Sequence, residues 1–165
     1  MKTKGFTLIE LLIVIALLGA LAVGLLAALD PFEQLKKGTD TGVRNTVSEL
    51  HGAIIRYYAI KNAMPWGTSN LTLVASNAQA ISYIQEVVGT GELKSDFTQL
   101  AGNQLGKITL VGTSESITVC FKPESRAFRS DPNTKYLSDF QETTNNPANC
   151  GDPGTPNFQC LWCVK

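Results

Sequence analysis

Most of what would mark an enzyme is missing from this sequence. There is one histidine, His51, so no pair of imidazoles exists to hold a catalytic metal. No G-x-S-x-G, Walker or G-x-G-x-x-G pattern occurs, and Gly89-Thr90-Gly91 is too short for a phosphate loop. Neither an enzyme nor a cofactor is expected. A surplus of one charge is also lacking: fourteen basic side chains meet fourteen acidic ones. Without Lys2, Lys4 and Glu10, twelve basic and thirteen acidic groups remain. That balance excludes general attraction to nucleic acid, and no specific nucleic-acid partner is evident.

The most informative absence is local. From Leu11 to Leu29, nineteen residues carry no charged, amide or hydroxyl side chain. About 20 apolar helical residues cross the hydrocarbon core, so this stretch is long enough to span it. Lys2 and Lys4 precede it and favour a cytoplasmic N-terminus in a single-pass protein of the cytoplasmic membrane. Glu10 is the exception at its start. A carboxylate at membrane depth costs several kcal/mol on an isolated helix, so it needs a partner or a task. The span holds no Lys or Arg. A cut after Gly5 would supply a cation, because Phe6 would then carry a free amine.

Gly5-Phe6-Thr7-Leu8-Ile9-Glu10-Leu11-Leu12 closely resembles the prepilin signal shared by type IV pilins and type II secretion pseudopilins. The resemblance covers about the first thirty residues. It implies cleavage after Gly5 by a prepilin peptidase, N-methylation of Phe6, and a role for Glu10 in assembly, where it meets the amine of an adjacent subunit. A Sec signal peptide cut near Ala27-Ala28 is the competing reading, and an acid within the apolar run disfavours it. A plain membrane anchor is another.

Beyond the span, Asp30-Pro31-Phe32-Glu33 reads as a helix start: an Asp cap, proline at the first position and an acid at the third. Because it follows directly on the span, a kink or break is predicted at Pro31. By resemblance, Pro31 is a hinge. Val43, Val47, Leu50, Ile54 and Tyr57 then fall on one helical stripe. Unbroken helix from Phe6 to Lys61 would measure roughly 84 Å. Pro65 ends it. Ser76 is expected to cap a short helix stopped at Gly89, with one further helical turn near Phe97–Leu100. A hairpin is predicted from residues 107–111 and 116–122, followed by a third strand over 126–129 and a final strand over 158–164. Residues 130–159 show no periodicity and read as irregular. The expected fold class is α+β: a long N-terminal helix packed on a small antiparallel sheet, type IV pilin-like. The expected divisions are a leader at 1–5, a transmembrane assembly helix at 6–29, an amphipathic helix at 30–63, and a head at 64–165.

Four cysteines, Cys120, Cys150, Cys160 and Cys163, lie in the last third. An oxidising compartment beyond the membrane makes disulfides the leading reading. Four cysteines allow three pairings. An odd offset points Cys160 and Cys163 to opposite faces of a strand, so each is expected to pair elsewhere, with Cys120 and Cys150 as partners. A four-thiolate zinc site lacks the paired C-x-x-C spacing. A redox role for Cys160-Leu161-Trp162-Cys163 lacks a following helix to activate a thiol. Asp131, Asp139 and Asp152 are weak calcium candidates, a site that the resemblance to major pseudopilins brings to mind, but their spacing is not that of an EF-hand. Asn70-Leu71-Thr72 has the form of a glycosylation acceptor, a tripeptide that also arises by chance. His51, beside the helical stripe, reads as a surface or packing residue.

The reading is a structural subunit of a type IV pilus-like filament, polymerising with copies of itself through its N-terminal helix. Its other partners are the prepilin peptidase, a membrane assembly platform and membrane lipid, and it ends in an extracellular or periplasmic filament. The alternatives are a pseudopilin of a secretion or DNA-uptake system and, in another class, a membrane-anchored extracellular binding module.

Overall fold

The computed structural model describes residues 5–28 and 30–165. Lys2, Lys4 and the far end of the expected span, Leu29, lie outside the described residues. The chain divides after Leu35 into two compact units.

In the first unit, helix α1 runs Leu8–Ala28. Its side chains are apolar all round apart from Glu10, and those from Leu8 to Leu26 are exposed. Leu8–Leu26 is long and apolar enough to cross a membrane. Helix α2, Pro31–Lys61, follows as a separate element. Its start is the one its sequence announces. Glu33 N–H donates to Asp30 Oδ1 at 3.3 Å, while Pro31 takes the first position, where a missing N–H costs nothing.

The second unit is the α+β head. Val43, Val47, Leu50, Ala53, Ile54 and Tyr57 of α2 are buried, which is the periodic stripe of the sequence. They pack against a five-stranded, fully antiparallel sheet in the order β1-β2-β3-β5-β4. The strands are β1 Leu71–Val74, β2 Ile108–Gly112, β3 Ile117–Phe121, β4 Thr134–Tyr136 and β5 Leu161–Val164. Helices α3 (Ala78–Gly89) and α4 (Phe97–Ala101) close the near side, and a 3-10 turn over Gly102–Lys107 leads into β2. Each fully buried Leu, Ile or Val here contributes about 1.5–3 kcal/mol. Val43, Val47, Leu50 and Ile108 are at 0% exposure, so the helix stripe and the sheet form one continuous core.

The β2–β3 hairpin matches its prediction, with Gly112 opposite Ile117. Gly112 is required by packing. A Cβ there would lie 2.5 Å from the Trp66 ring, which is seated by its Nε1–H donating to Thr113 O at 2.7 Å.

Three expectations are corrected. Residues 126–129 form helix α5, Arg126–Arg129, not a strand, because Ser125 caps it by accepting from Phe128 N–H at 3.4 Å. The cap of α3 is Asn77, whose Oδ1 accepts from Gln79 N–H at 2.9 Å, not Ser76. Ala75 and Ser76 form a turn closed by Asn77 N–H donating to Val74 O at 2.9 Å, so the helix starts only after Asn77. The stretch over 130–159 is not wholly irregular: it holds β4 and helix α6, Pro147–Cys150, with Asn146 as cap. The cysteines pair as expected: Cys160 and Cys163 do not bond one another, and each takes a partner from Cys120 and Cys150. Cys120 bonds Cys163, and Cys150 bonds Cys160.

The register explains the first bridge. Cys120 and Cys163 sit directly opposite one another on β3 and β5, with Cα atoms 4.1 Å apart. Both face away from α2, in a small cluster with Tyr136. Cys150, Cys160 and Phe158 form a further cluster against Leu137. With all four sulfurs in disulfides, the zinc alternative has no thiolate left to use.

Candidate functional site

The N-terminal device is built from four consecutive features. Gly5, Phe6 and Thr7 precede α1 and are not helical. Phe6 is 78% exposed, and a Cβ at Gly5 would meet nothing within 4 Å. The Gly5–Phe6 peptide bond therefore lies on exposed, non-helical chain, where a protease can reach the backbone.

Glu10 does not stand alone. Its Oε2 accepts from Thr7 N–H at 2.8 Å and from the Thr7 hydroxyl at 2.7 Å. In return, Glu10 N–H donates to Thr7 Oγ1 at 3.3 Å. This is a capping box, with Thr7 as cap and Glu10 at the third helical position. Two otherwise orphaned N–H groups of the first turn are satisfied, and the carboxylate sits where the helix dipole favours negative charge. The signal was legible as Thr7-x-x-Glu10 before an apolar run, and the sequence reading missed it. Glu10 was treated as a charge without a partner, but among the described residues Oε1 alone lacks one.

In the head, Asp40 of α2 is 2% exposed. It accepts from Glu124 N–H, Ser125 N–H and the Ser125 hydroxyl, and so fastens the turn before α5 to the helix. A buried carboxylate is tolerable only with such a full set of donors. No motif flagged it, because its donors lie more than 80 residues away in sequence.

The disulfide-closed loop is held from inside by Arg129. Its Nη1 donates to Pro153 O at 3.3 Å and Thr155 O at 2.9 Å, its Nε to Pro123 O at 3.0 Å, and its guanidinium lies 5.6 Å from the Phe158 ring centre. Gly151 has φ of 82°, and a Cβ there would come within 3.0 Å of Asn157 O, so the loop needs glycine at this bend.

The weak calcium candidates are not brought together. Asp131, Asp139 and Asp152 each accept from the N–H two residues on, in Asn133, Gln141 and Gly154, which is ordinary turn chemistry. Among the described residues no cluster of three or more His, Cys, Asp or Glu could hold a metal ion.

His51 and Tyr57 are the perturbed groups of the head. Burial pushes the His51 imidazole below its usual range, and a bond to the Ile117 backbone offsets part of that. Its Nε2 is buried without a hydrogen-bond partner among the described residues. The Tyr57 hydroxyl donates to Glu86 Oε1 at 2.6 Å. That bond, with burial and the carboxylate's charge behind it, pushes the phenol up to about 12. Both residues serve the packing of α2.

No curated protein and no solved structure matches the chain. Residues 1–26 match the family described as the prokaryotic N-terminal methylation motif. The chain thus carries, ahead of an α+β head, the leader motif of type IV pilins and pseudopilins.

Proposed function

We propose that this protein is the structural subunit of a type IV pilus-like filament. The observation that carries the reading is the methylation motif over residues 1–26, set on a helix whose described side chains from Leu8 to Leu26 are apolar apart from Glu10 and exposed. In this reading a prepilin peptidase cuts between Gly5 and Phe6 and the new Phe6 amine is methylated. Leu11 to Leu29 hold the monomer in the cytoplasmic membrane, N-terminus inside, in contact with lipid and with an assembly platform. The same side chains later pack against those of neighbouring copies, and the head faces the exterior. Glu10 then exchanges one set of partners for another. In the monomer it caps its own helix through Thr7, and in the polymer it neutralises the Phe6 amine of an adjacent subunit. A carboxylate that accepts two bonds from one residue keeps lone pairs for that amine. Pro31 marks the joint where the two helices can adjust.

Intact mass spectrometry of protein sheared from producing cells tests this. The expected mass lacks residues 1–5 and carries one additional methyl group. A full-length chain, or a product cut near Ala28, would refute the reading.

A further inference from the structure

The two edges of the sheet are treated differently. The outer edge of β4 is covered by its own chain: Thr143 N–H donates to Lys135 O at 2.7 Å, Tyr136 bridges to Glu142, and the Lys135 ammonium pairs with the Glu142 carboxylate. Among the described residues the outer edge of β1 has no such cover. Ala75 N–H donates to Ile108 O, and antiparallel alternation then directs the Leu73 and Leu71 N–H groups to β2. The N–H groups of Thr72 and Val74 face away from the sheet. Unpaired edges of this kind are ordinarily blunted, because they template association.

A groove of about 210 Å³ runs beside that edge, lined by Ser69, Asn70, Thr72, Trp66, Gln79 and Tyr83. No charged side chain lines it. Its chemistry is neutral amide, hydroxyl and aromatic ring, with Gln79 Nε2 donating to the Tyr83 hydroxyl at 2.9 Å. Asn70-Leu71-Thr72 is the chain's one Asn-x-Ser/Thr tripeptide. The structure sets both of its functional side chains on this groove. Asn70 and Thr72 are exposed, and neither side chain makes a hydrogen bond among the described residues. They lie two residues apart on extended chain, which puts the amide and the hydroxyl on one side.

We propose that Asn70 carries an N-linked glycan whose first sugar lies in this groove and covers the free edge of β1. The transfer joins Asn70 Nδ2 to the anomeric carbon of a sugar delivered on a lipid diphosphate. The bond from that carbon to the diphosphate breaks, the diphosphate leaves with the electron pair, and the amide nitrogen gives up one proton. No oxidant or reductant is involved. A tethered sugar reaches the groove at high effective concentration, whereas a foreign strand would find only two free N–H groups on a four-residue edge. The inference rests on the head facing the exterior, where such transfer occurs.

The test uses full-length protein sheared from producing cells, and its tryptic peptide Asn62–Lys94. The expected peptide carries a sugar increment assigned to Asn70, with N-acetylhexosamine fragment ions. Thr72→Val should abolish the increment and Thr72→Ser should keep it. Amide exchange at Thr72 and Val74 should rise severalfold in Asn70→Gln. A peptide found only at its unmodified mass, or a sugar on Thr68 or Ser69, overturns the proposal. Unchanged exchange in Asn70→Gln overturns the seating of the sugar in the groove. The N-terminal peptide of the same digest reports separately on leader cleavage, so failure of the subunit reading is seen apart from failure at Asn70.

Discussion

Asp40 and Ser125 are joined by two hydrogen bonds of 2.7 Å each, one from the serine N–H and one from its hydroxyl, both ending on Oδ2. The same serine caps α5. One buried carboxylate therefore fixes both where the turn sits on α2 and where the next helix begins.

Asp40→Ala should destabilise the head by about 3 kcal/mol, since it strands buried donors that were bonded to a charge. Asp40→Asn keeps one acceptor oxygen and should lose roughly half as much. Denaturant unfolding of the full chain in detergent measures both. Equal stability of Asp40→Ala and the parent would show that the contact contributes nothing.

The capping box separates two roles for Glu10. Thr7→Val removes the cap and leaves the charge, costing about 1 kcal/mol of helix stability, so filaments should still form in reduced yield. Glu10→Leu removes both and should lower sheared filament at least tenfold while membrane-bound monomer persists. Quantifying the sheared and membrane fractions decides the matter. Normal filament yield from Glu10→Leu would show that Glu10 takes no part in assembly, and absence of sheared filament from the parent chain itself would favour a membrane-anchored binding module.

The two disulfides should not be equivalent. Cys120–Cys163 spans 43 residues and Cys150–Cys160 spans 10. Loop-closure entropy gives about 4 kcal/mol for the first and about 3 kcal/mol for the second. Serine replacement of each pair, followed by unfolding, should rank them in that order. Non-reducing peptide maps should link Cys120 to Cys163, and a map linking Cys160 to Cys163 would overturn the pairing.

His51 gives the head a pH dependence of definite sign. Its folded value lies below the unfolded one, chiefly through burial, so the fold prefers the neutral ring. The associated stability is complete above the unfolded value of about 6.5 and is lost as pH falls from there through the folded value. Thermal unfolding between pH 7.5 and 5 should therefore show a falling midpoint, and His51→Phe should flatten that slope. A parallel slope in the variant would assign the effect to other groups.

What the sequence disclosed follows from how far each signal reaches along the chain. The α2 stripe and the β2–β3 hairpin are periodic over many residues or joined by a short turn, so neighbouring residues suffice to read them. The capping box was equally local and was overlooked because Glu10 was weighed as a membrane charge. Strands β1 and β4, of four and three residues, are too short to show a period. The segment Arg126–Arg129 is helical because Ser125 is held from α2, a contact 85 residues distant. The odd offset of Cys160 and Cys163 showed that they do not pair with each other, but which of them takes Cys120 depends on β5 lying beside β3, which no spacing encodes.

The strand order carries a temporal consequence. β5 is the last strand in sequence, yet it lies between β3 and β4. β1, β2 and β3 can zip together as they emerge, but β4 has no neighbour in the sheet to pair with until β5 has been made and has entered the gap. For a chain delivered N-terminus first, β5 is the keystone, and Cys163 at its far end is the rivet that locks it to β3. A chain halted short of that point would present an open seam flanked by Phe121 and the unpaired Cys120 thiol. Closure of the head therefore distinguishes a fully delivered chain from an interrupted one.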